Sequence, residues 1–370
     1  MNIVILADMI PNKKIPLASF FPIDHAIQLH KRGLSVSLFF LNNYSLKTNK
    51  SIHLKRFIYM GIPSYSISFP VGRSFHLLTK LSSWIMIRIL YKFYLGFSDE
   101  PQIIHAHFFE MGQALIGLKS IFHGKTVLTE HSYLFGIRRI YSNKHLKSVY
   151  SSFTSLVVVS NFLKDEIMNQ INVKSIVIPN YYNEKLFKYS PRELNSIFRI
   201  VSVVNLVPIK NIELMIKSFI GFSKIKKSIL YIIGDGPLRN KFELFIKSNS
   251  IKNIKFLGYK RHSNINQYLK KAHLGMITSK IETFNIFLIE ALATGIPVLT
   301  TNCGGPSDFV NFKNGLISKT NNSTDIIHSL KTLFDNYNLY RKKFISNEIK
   351  RKFSSNVVFK TWIKFYNGLQ

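Results

Sequence analysis

The chain has 370 residues, 46% hydrophobic and 14% aromatic, which excludes a disordered polymer and is enough to fill more than one core. Fifty Lys and Arg against 19 Asp and Glu give a formal charge of +31, a balance that calls for anionic partners. With neither zinc-ligand spacing nor an RNP-type aromatic motif, an anionic membrane surface or a phosphorylated substrate fits that charge better than nucleic acid.

The single cysteine, Cys303, excludes a disulfide framework, and no run reaches the roughly 18 apolar residues that span a bilayer. MNIVILADMI lacks a basic start and reads as a first strand, not a signal peptide. NIVILA, a loop and helix ending at Gly33, and LSVSLFFL form a strand, helix, strand unit, the opening of a doubly wound parallel sheet. From Phe75 to Leu95 apolar and aromatic residues alternate with Lys80, Arg88 and Lys92, and Trp84 and Tyr91 are expected at the margins. That pattern suits an interfacial helix, or a core helix with a basic edge.

IIHAHFF places His105 and His107 at the end of a strand, and TVLTEHSYLF places Glu130 and His131 at the end of the next. Histidines two apart share a strand face, so a metal is conceivable. With no cysteine or acid cluster to complete a ligand set, strand ends opening on a ligand site are the better reading. After SLVVVS and SIVIPNYYNEKLF, the polar, proline-bearing YSPRELNS reads as a linker. FRIVSVVNLVPIKNIELMIKSF and SILYIIGDGPL then restart the strand and helix alternation. The lone GDG is weak as a phosphate motif. KFSSNVVFKTWIKFYNGL closes the chain as an amphipathic helix with Val357, Phe359, Trp362, Ile363 and Tyr366 near one side.

The chemistry concentrates in SKIETFNIFLIEALATGIPVLTTNCGGPSDFV, Ser279 to Val310. A helix is predicted over Phe284–Thr294, stopped by Gly295 and followed by the strand PVLTT. Glu282 precedes that helix and Glu290 lies inside it among Leu288, Ile289, Ala291 and Leu292, where a carboxylate needs a partner. Eight residues at 1.5 Å of rise separate the two acids by on the order of 12 Å along the axis. The unpaired first-turn amides of Phe284 to Phe287 form an anion site between them. A ligand with a polyol at each end and a diphosphate in the middle, the shape of a nucleotide sugar, matches this layout.

ETFNIFLIEALATGIPVLTTNCGGPSD resembles the E-x7-E motif of retaining glycosyltransferases of family 4, with Asp308 where Glu is usual and Thr283 and Asn285 where glycines are common. The resemblance covers nearly the whole chain. It implies an α/β fold of two Rossmann-like domains facing a cleft (GT-B): residues 1–185 for the acceptor, residues 186–350 for the donor, and a final helix, 351–370, packing back on the first domain.

By the same resemblance Glu282, His131 and Lys210 are the catalytic residues, and Glu290, Asn205, Phe284, Asn285, Ile286, Ser19, Tyr259 and Lys260 bind substrate. Ser19 stands where the family's first loop has glycine, Asn205 where it has arginine, and Tyr181 where its hinge has glycine. The implied activity transfers a sugar from a nucleotide-sugar donor to a glycan or lipid-linked glycan in bacterial surface polysaccharide assembly. No metal or other cofactor is required, no nucleic acid takes part, and the protein is expected in the cytoplasm, peripheral to the inner face of the plasma membrane. A nucleotide-sugar hydrolase or epimerase on the same fold, or a non-catalytic membrane-associated partner, are the alternatives.

Overall fold

Strands such as NIVILA and IIHAH are buried along nearly their whole length instead of on alternate residues, the pattern of a parallel sheet covered on both faces. The computed structural model describes residues 1–11, 19–43, 51–69, 76–138, 140–194, 196–319 and 322–369. Its contacts divide the chain into two units. Unit 1 is Met1–Val159, Lys164–Ile178 and Thr361–Gln370, and unit 2 is Ser160–Leu163 and Pro179–Lys360.

The first part of the chain runs β1 (Asn2–Ala7), α1 (Phe20–His30), β2 (Ser35–Asn43), β3 (His53–Tyr59), β4 (Ile62–Phe69), α2 (His76–Leu95), β5 (Ile103–His107) and α3 (Phe109–Leu115). It continues with β6 (Lys125–Glu130), α4 (Leu134–Arg138), α5 (Asn143–Tyr150), β7 (Ser155–Val158), α6 (Asn161–Ile171) and β8 (Ile176–Val177). The eight strands form one sheet in the order β3-β4-β2-β1-β5-β6-β7-β8, in which only β3 is antiparallel to its neighbour. Ile3 pairs with Val36 on one side and Ile103 on the other, so β1 sits in the interior of the sheet with Ile3, Val4, Ile5 and Leu6 fully buried.

The second part runs β9 (Phe198–Val203), α7 (Ile212–Ser223), β10 (Ser228–Ile233), α8 (Arg239–Ser248), β11 (Ile254–Phe256), α9 (His262–Lys271) and β12 (Leu274–Met276). It continues with α10 (Ile286–Ala293), β13 (Val298–Thr301), β14 (Gly315–Ser318), α11 (Ser323–Asp335), α12 (Lys342–Phe353) and α13 (Ser355–Asn367). Its sheet is wholly parallel, in the order β11-β10-β9-β12-β13-β14, and its core gathers Phe198, Ile200, Phe219, Leu230, Leu274 and Leu330. The order reverses direction between β9 and β12, the switch point at which α/β sheets bind ligands.

Two segments differ from the sequence-based expectation. The helix predicted from Phe284 begins at Ile286, because Asn285 takes φ +79° and its side chain accepts the Leu288 amide, so one first-turn donor is already used. Along α2, Ser82, Met86, Ile87, Leu90, Tyr91 and Tyr94 are buried. Tyr91, expected at a margin, is in the core and donates to Glu100 at 2.8 Å. Half-buried Trp84 donates from Nε1 to the Gln113 carbonyl at 2.7 Å. Phe75 lies outside the described residues.

Candidate functional site

In unit 2 the loops at the C-terminal ends of β9, β12 and β13 are stitched together. Lys280 N donates to the Ile209 carbonyl at 2.8 Å, Glu282 N to Cys303 O at 2.7 Å, and Gly305 N to Glu282 O at 2.8 Å. Thr278 Oγ1 donates to Asn211 O at 3.0 Å, and Thr301 Oγ1 to Ser279 O at 2.6 Å. A Cβ at Gly305 would lie 2.1 Å from the Thr283 carbonyl, so the close approach requires glycine there. These bonds present Glu282, 8% exposed, to two donors: Lys210 Nζ at 2.7 Å and Ser279 Oγ at 2.6 Å, both on Oε1. A cation and a nearly buried carboxylate in one hydrogen-bonded group can hold sugar hydroxyls and phosphate oxygens side by side.

Glu290 lies within α10, 3% exposed, and burial raises its carboxyl above the usual range. His262, the first residue of α9, opposes that shift with an Nδ1 contact of 3.0 Å to Oε1. Sequence reasoning singles out Tyr259 and Lys260, just before it, and misses His262. Its chain position gives no motif signal, since the pairing with Glu290 spans 28 residues.

The remaining expected residues of unit 2 divide. Asn285 and Ile286 are half-buried at the start of α10, Asn205 and Tyr259 are exposed, and Lys260 is half-buried. Phe284 is expected to act through its first-turn amide; its side chain is 2% exposed and packs on Phe309 and Phe353 at 5.2 and 5.6 Å between centroids. The apolar ring is worth more in the core than at a phosphate. The GDG turn also has a structural cause, because a Cβ on Gly234 or Gly236 would lie 2.0 or 2.6 Å from the carbonyls of Val204 and Leu206.

Unit 1 holds Ser19 and His131. Ser19 precedes α1 with φ +52° without capping it through its side chain, and its hydroxyl both accepts from Met9 N at 3.0 Å and donates to Met9 O at 2.9 Å. His131 stacks on Phe21 at 4.4 Å, and its Nε2 is 2.9 Å from His107 Nδ1. Glu130 accepts from the amides of His131 and Ser132 and from Tyr150, while burial pushes its carboxyl up to about 7.

Behind His131, Tyr366 on α13 joins His25 Nε2 at 2.9 Å to His105 Nδ1 at 2.6 Å, and His105 Nε2 meets Thr129 at 2.7 Å. Sequence reasoning misses His25, whose only signal is its place beside Ile23 and Ala26 on a helix facing the strand ends. Burial pulls His25 and His131 down to about 3, and holds His105 and His107 well below the usual histidine range, so all four rings are neutral near pH 7. Ligand atoms of His25, His105 and His107 lie within 4.8 Å of one another, close enough for a metal. Both nitrogens of His105 and Nε2 of His25 are already engaged, and a hydrogen-bonded relay accounts for that geometry.

Comparison with known proteins covers most of the chain. The family model described as glycosyl transferases group 1 matches residues 190–351, and the model described as Glycosyltransferase Family 4 matches residues 23–185. An uncharacterised glycosyltransferase of Methanocaldococcus jannaschii is 27% identical over 266 residues, 70% of this chain and 72% of that one. The gpi3 component of phosphatidylinositol N-acetylglucosaminyltransferase from Schizosaccharomyces pombe is 26% identical over 259 residues, 66% of this chain and 56% of its own, so the chain spans little more than half the length of that relative. Among solved structures, sucrose-phosphate synthase from Thermosynechococcus elongatus superposes with a TM-score of 0.79 at 17% identity, covering 100% of this chain and 99% of that one. The Anabaena protein HepE, in complex with UDP and glucose, superposes with a TM-score of 0.74 at 16% identity over 99% of each chain.

Proposed function

The chain belongs to the family 4 glycosyltransferases of the GT-B fold, and on that footing we propose that it transfers a sugar, with retention of anomeric configuration, from a nucleotide-sugar donor to a glycan or lipid-linked glycan. Assembly of a bacterial surface polysaccharide is the proposed setting. The observation that supports this reading best is the pairing of Lys210 with Glu282 ahead of α10, whose buried Glu290 is held by His262. In this reading Glu282 takes hydroxyls of the transferred sugar. Lys210 and the start of α10 stabilise the departing diphosphate, and Glu290 takes the ribose. The leaving phosphate itself accepts the acceptor's proton, which needs neither a carboxylate nucleophile nor a metal.

Membrane association belongs to the same proposal. Among the described residues no helix is long and apolar enough to cross a bilayer. Leu81, Ile85, Arg88, Lys92 and Leu95 recur every three or four residues along α2 and are exposed, an apolar and basic stripe suited to an anionic inner-face membrane surface.

A panel of nucleotide sugars tests the donor assignment by thermal stabilisation, followed by NMR of the product from the stabilising donor. One or a few donors are expected to raise the melting temperature, and the transferred sugar to keep its anomeric configuration. No stabilisation by any donor, or an inverted product, overturns the reading.

A further inference from the structure

Pro191 and Arg192 read from sequence as part of a linker, but Arg192 has a structural position of its own. Its Nη2 donates to the Thr294 carbonyl at 2.9 Å, at the C-terminal end of α10. Its Nε and Nη1 are buried and make no hydrogen bond. A buried guanidinium with two unused donors is costly, because each lost bond forfeits the solvation those N–H groups had in water.

Around it Arg341, Lys342 and Lys343 line the same cavity of about 550 Å³, against a single carboxylate, Glu193. Lys342 is pulled below its usual value by burial and by the Arg192 charge, so the cations strain one another. Neither Lys210 nor Glu282 lines the cavity.

We propose that this cavity is a binding site for a phosphate-bearing anion, held by the excess of cationic side chains that line it. Planar guanidinium donors match a phosphate, and the excess of positive charge holds a dianion. The anion would sit beside Arg192, which is bonded to the end of the helix that carries Glu290. This site does not depend on the donor assignment above.

Calorimetric titration with sodium pyrophosphate at constant ionic strength tests it, with three proteins: the natural chain, the double variant Arg341→Gln and Lys343→Gln, and Lys210→Ala. Both substituted positions of the double variant are exposed, so its melting temperature without ligand should match that of the natural chain. The expected result is a saturable site whose Kd weakens at least about tenfold in the double variant and persists in Lys210→Ala. Arg192→Lys, which keeps the charge but not the fork, should weaken it too. Binding that appears only on phosphatidylglycerol vesicles and disappears in the double variant assigns the same phosphate chemistry to a lipid headgroup. Pyrophosphate binding that vanishes in Lys210→Ala and is unchanged in the double variant overturns the proposal, and leaves the donor reading intact.

Discussion

Lys210 Nζ and Glu282 Oε1 form an ion pair at 2.7 Å across 72 residues of sequence, with the lysine side chain 22% and the glutamate side chain 8% exposed. Each group therefore positions the other. Lys210→Ala is expected to cost about 2–4 kcal/mol of transition-state stabilisation, the range for loss of one preorganised donor. Glu282→Gln should also lower kcat/KM, and because the two act together the double variant should lose less than the sum. Additive losses in the four-protein cycle would show that the pair has no joint role in turnover.

Burial raises the Glu290 carboxyl, and His262 works against that shift. An acid with a raised folded-state pKa contributes stability that is present below its ordinary value and lost as pH rises through the raised one. Glu290→Gln should therefore melt higher than the natural chain at about pH 8, with the advantage shrinking toward about pH 4, while nucleotide binding weakens. His262→Ala should push the carboxyl further up and steepen the loss with pH. Parallel stability curves for Glu290→Gln and the natural chain would remove Glu290 as the source.

Asn285 pays for φ +79° but caps Leu288 at 3.1 Å. Asn285→Gly exchanges a cap for relief of the backbone, and its stability should stay within about 1 kcal/mol of the natural chain. Asn285→Ala loses the cap and keeps the strain, so denaturant unfolding should show a loss of about 1–2 kcal/mol. Equal stability of the two variants would mean that the left-handed conformation carries no cost here.

Tyr366, fully buried, serves both His25 and His105. Tyr366→Phe keeps the ring and removes one hydrogen-bond partner from His25 Nε2 and one from His105 Nδ1, at a cost of about 1–3 kcal/mol for each group left unsatisfied. Chemical denaturation measures it, and an unchanged midpoint would show that water replaces the hydroxyl.

Arg88 Nε donates to the Gly117 carbonyl at 2.6 Å, so reversing its charge would damage unit 1 along with any membrane contact. Leu81→Gln, Ile85→Gln and Lys92→Glu alter the exposed stripe alone. Together they should abolish most binding to anionic vesicles and leave donor-induced stabilisation unchanged. In the natural chain binding should fall with salt without vanishing, since inserted apolar residues are not screened. Vesicle binding retained by the triple variant would place the contact elsewhere.

The sequence alone determined the α/β alternation, because unbroken apolar runs of five or six residues and amphipathic helices carry their own periodicity. It also marked Glu282 and Glu290, since local spacing puts one acid before a helix and one inside it, while Lys210 was marked only by the resemblance to the family. What lies 28 to 341 residues apart was decided by tertiary structure: His262 on Glu290, Lys210 on Glu282, Tyr366 on His25, and Arg192 at the end of α10. The start of α10 and the fate of Phe284 were also settled there. The Phe284 ring joins the core by packing on Phe309 and Phe353, and Asn285 takes φ +79° where its side chain accepts the Leu288 amide. Spacing rules reach a turn or two along the chain, whereas the partner of a buried charge is chosen by whichever distant strand end the sheet order brings beside it.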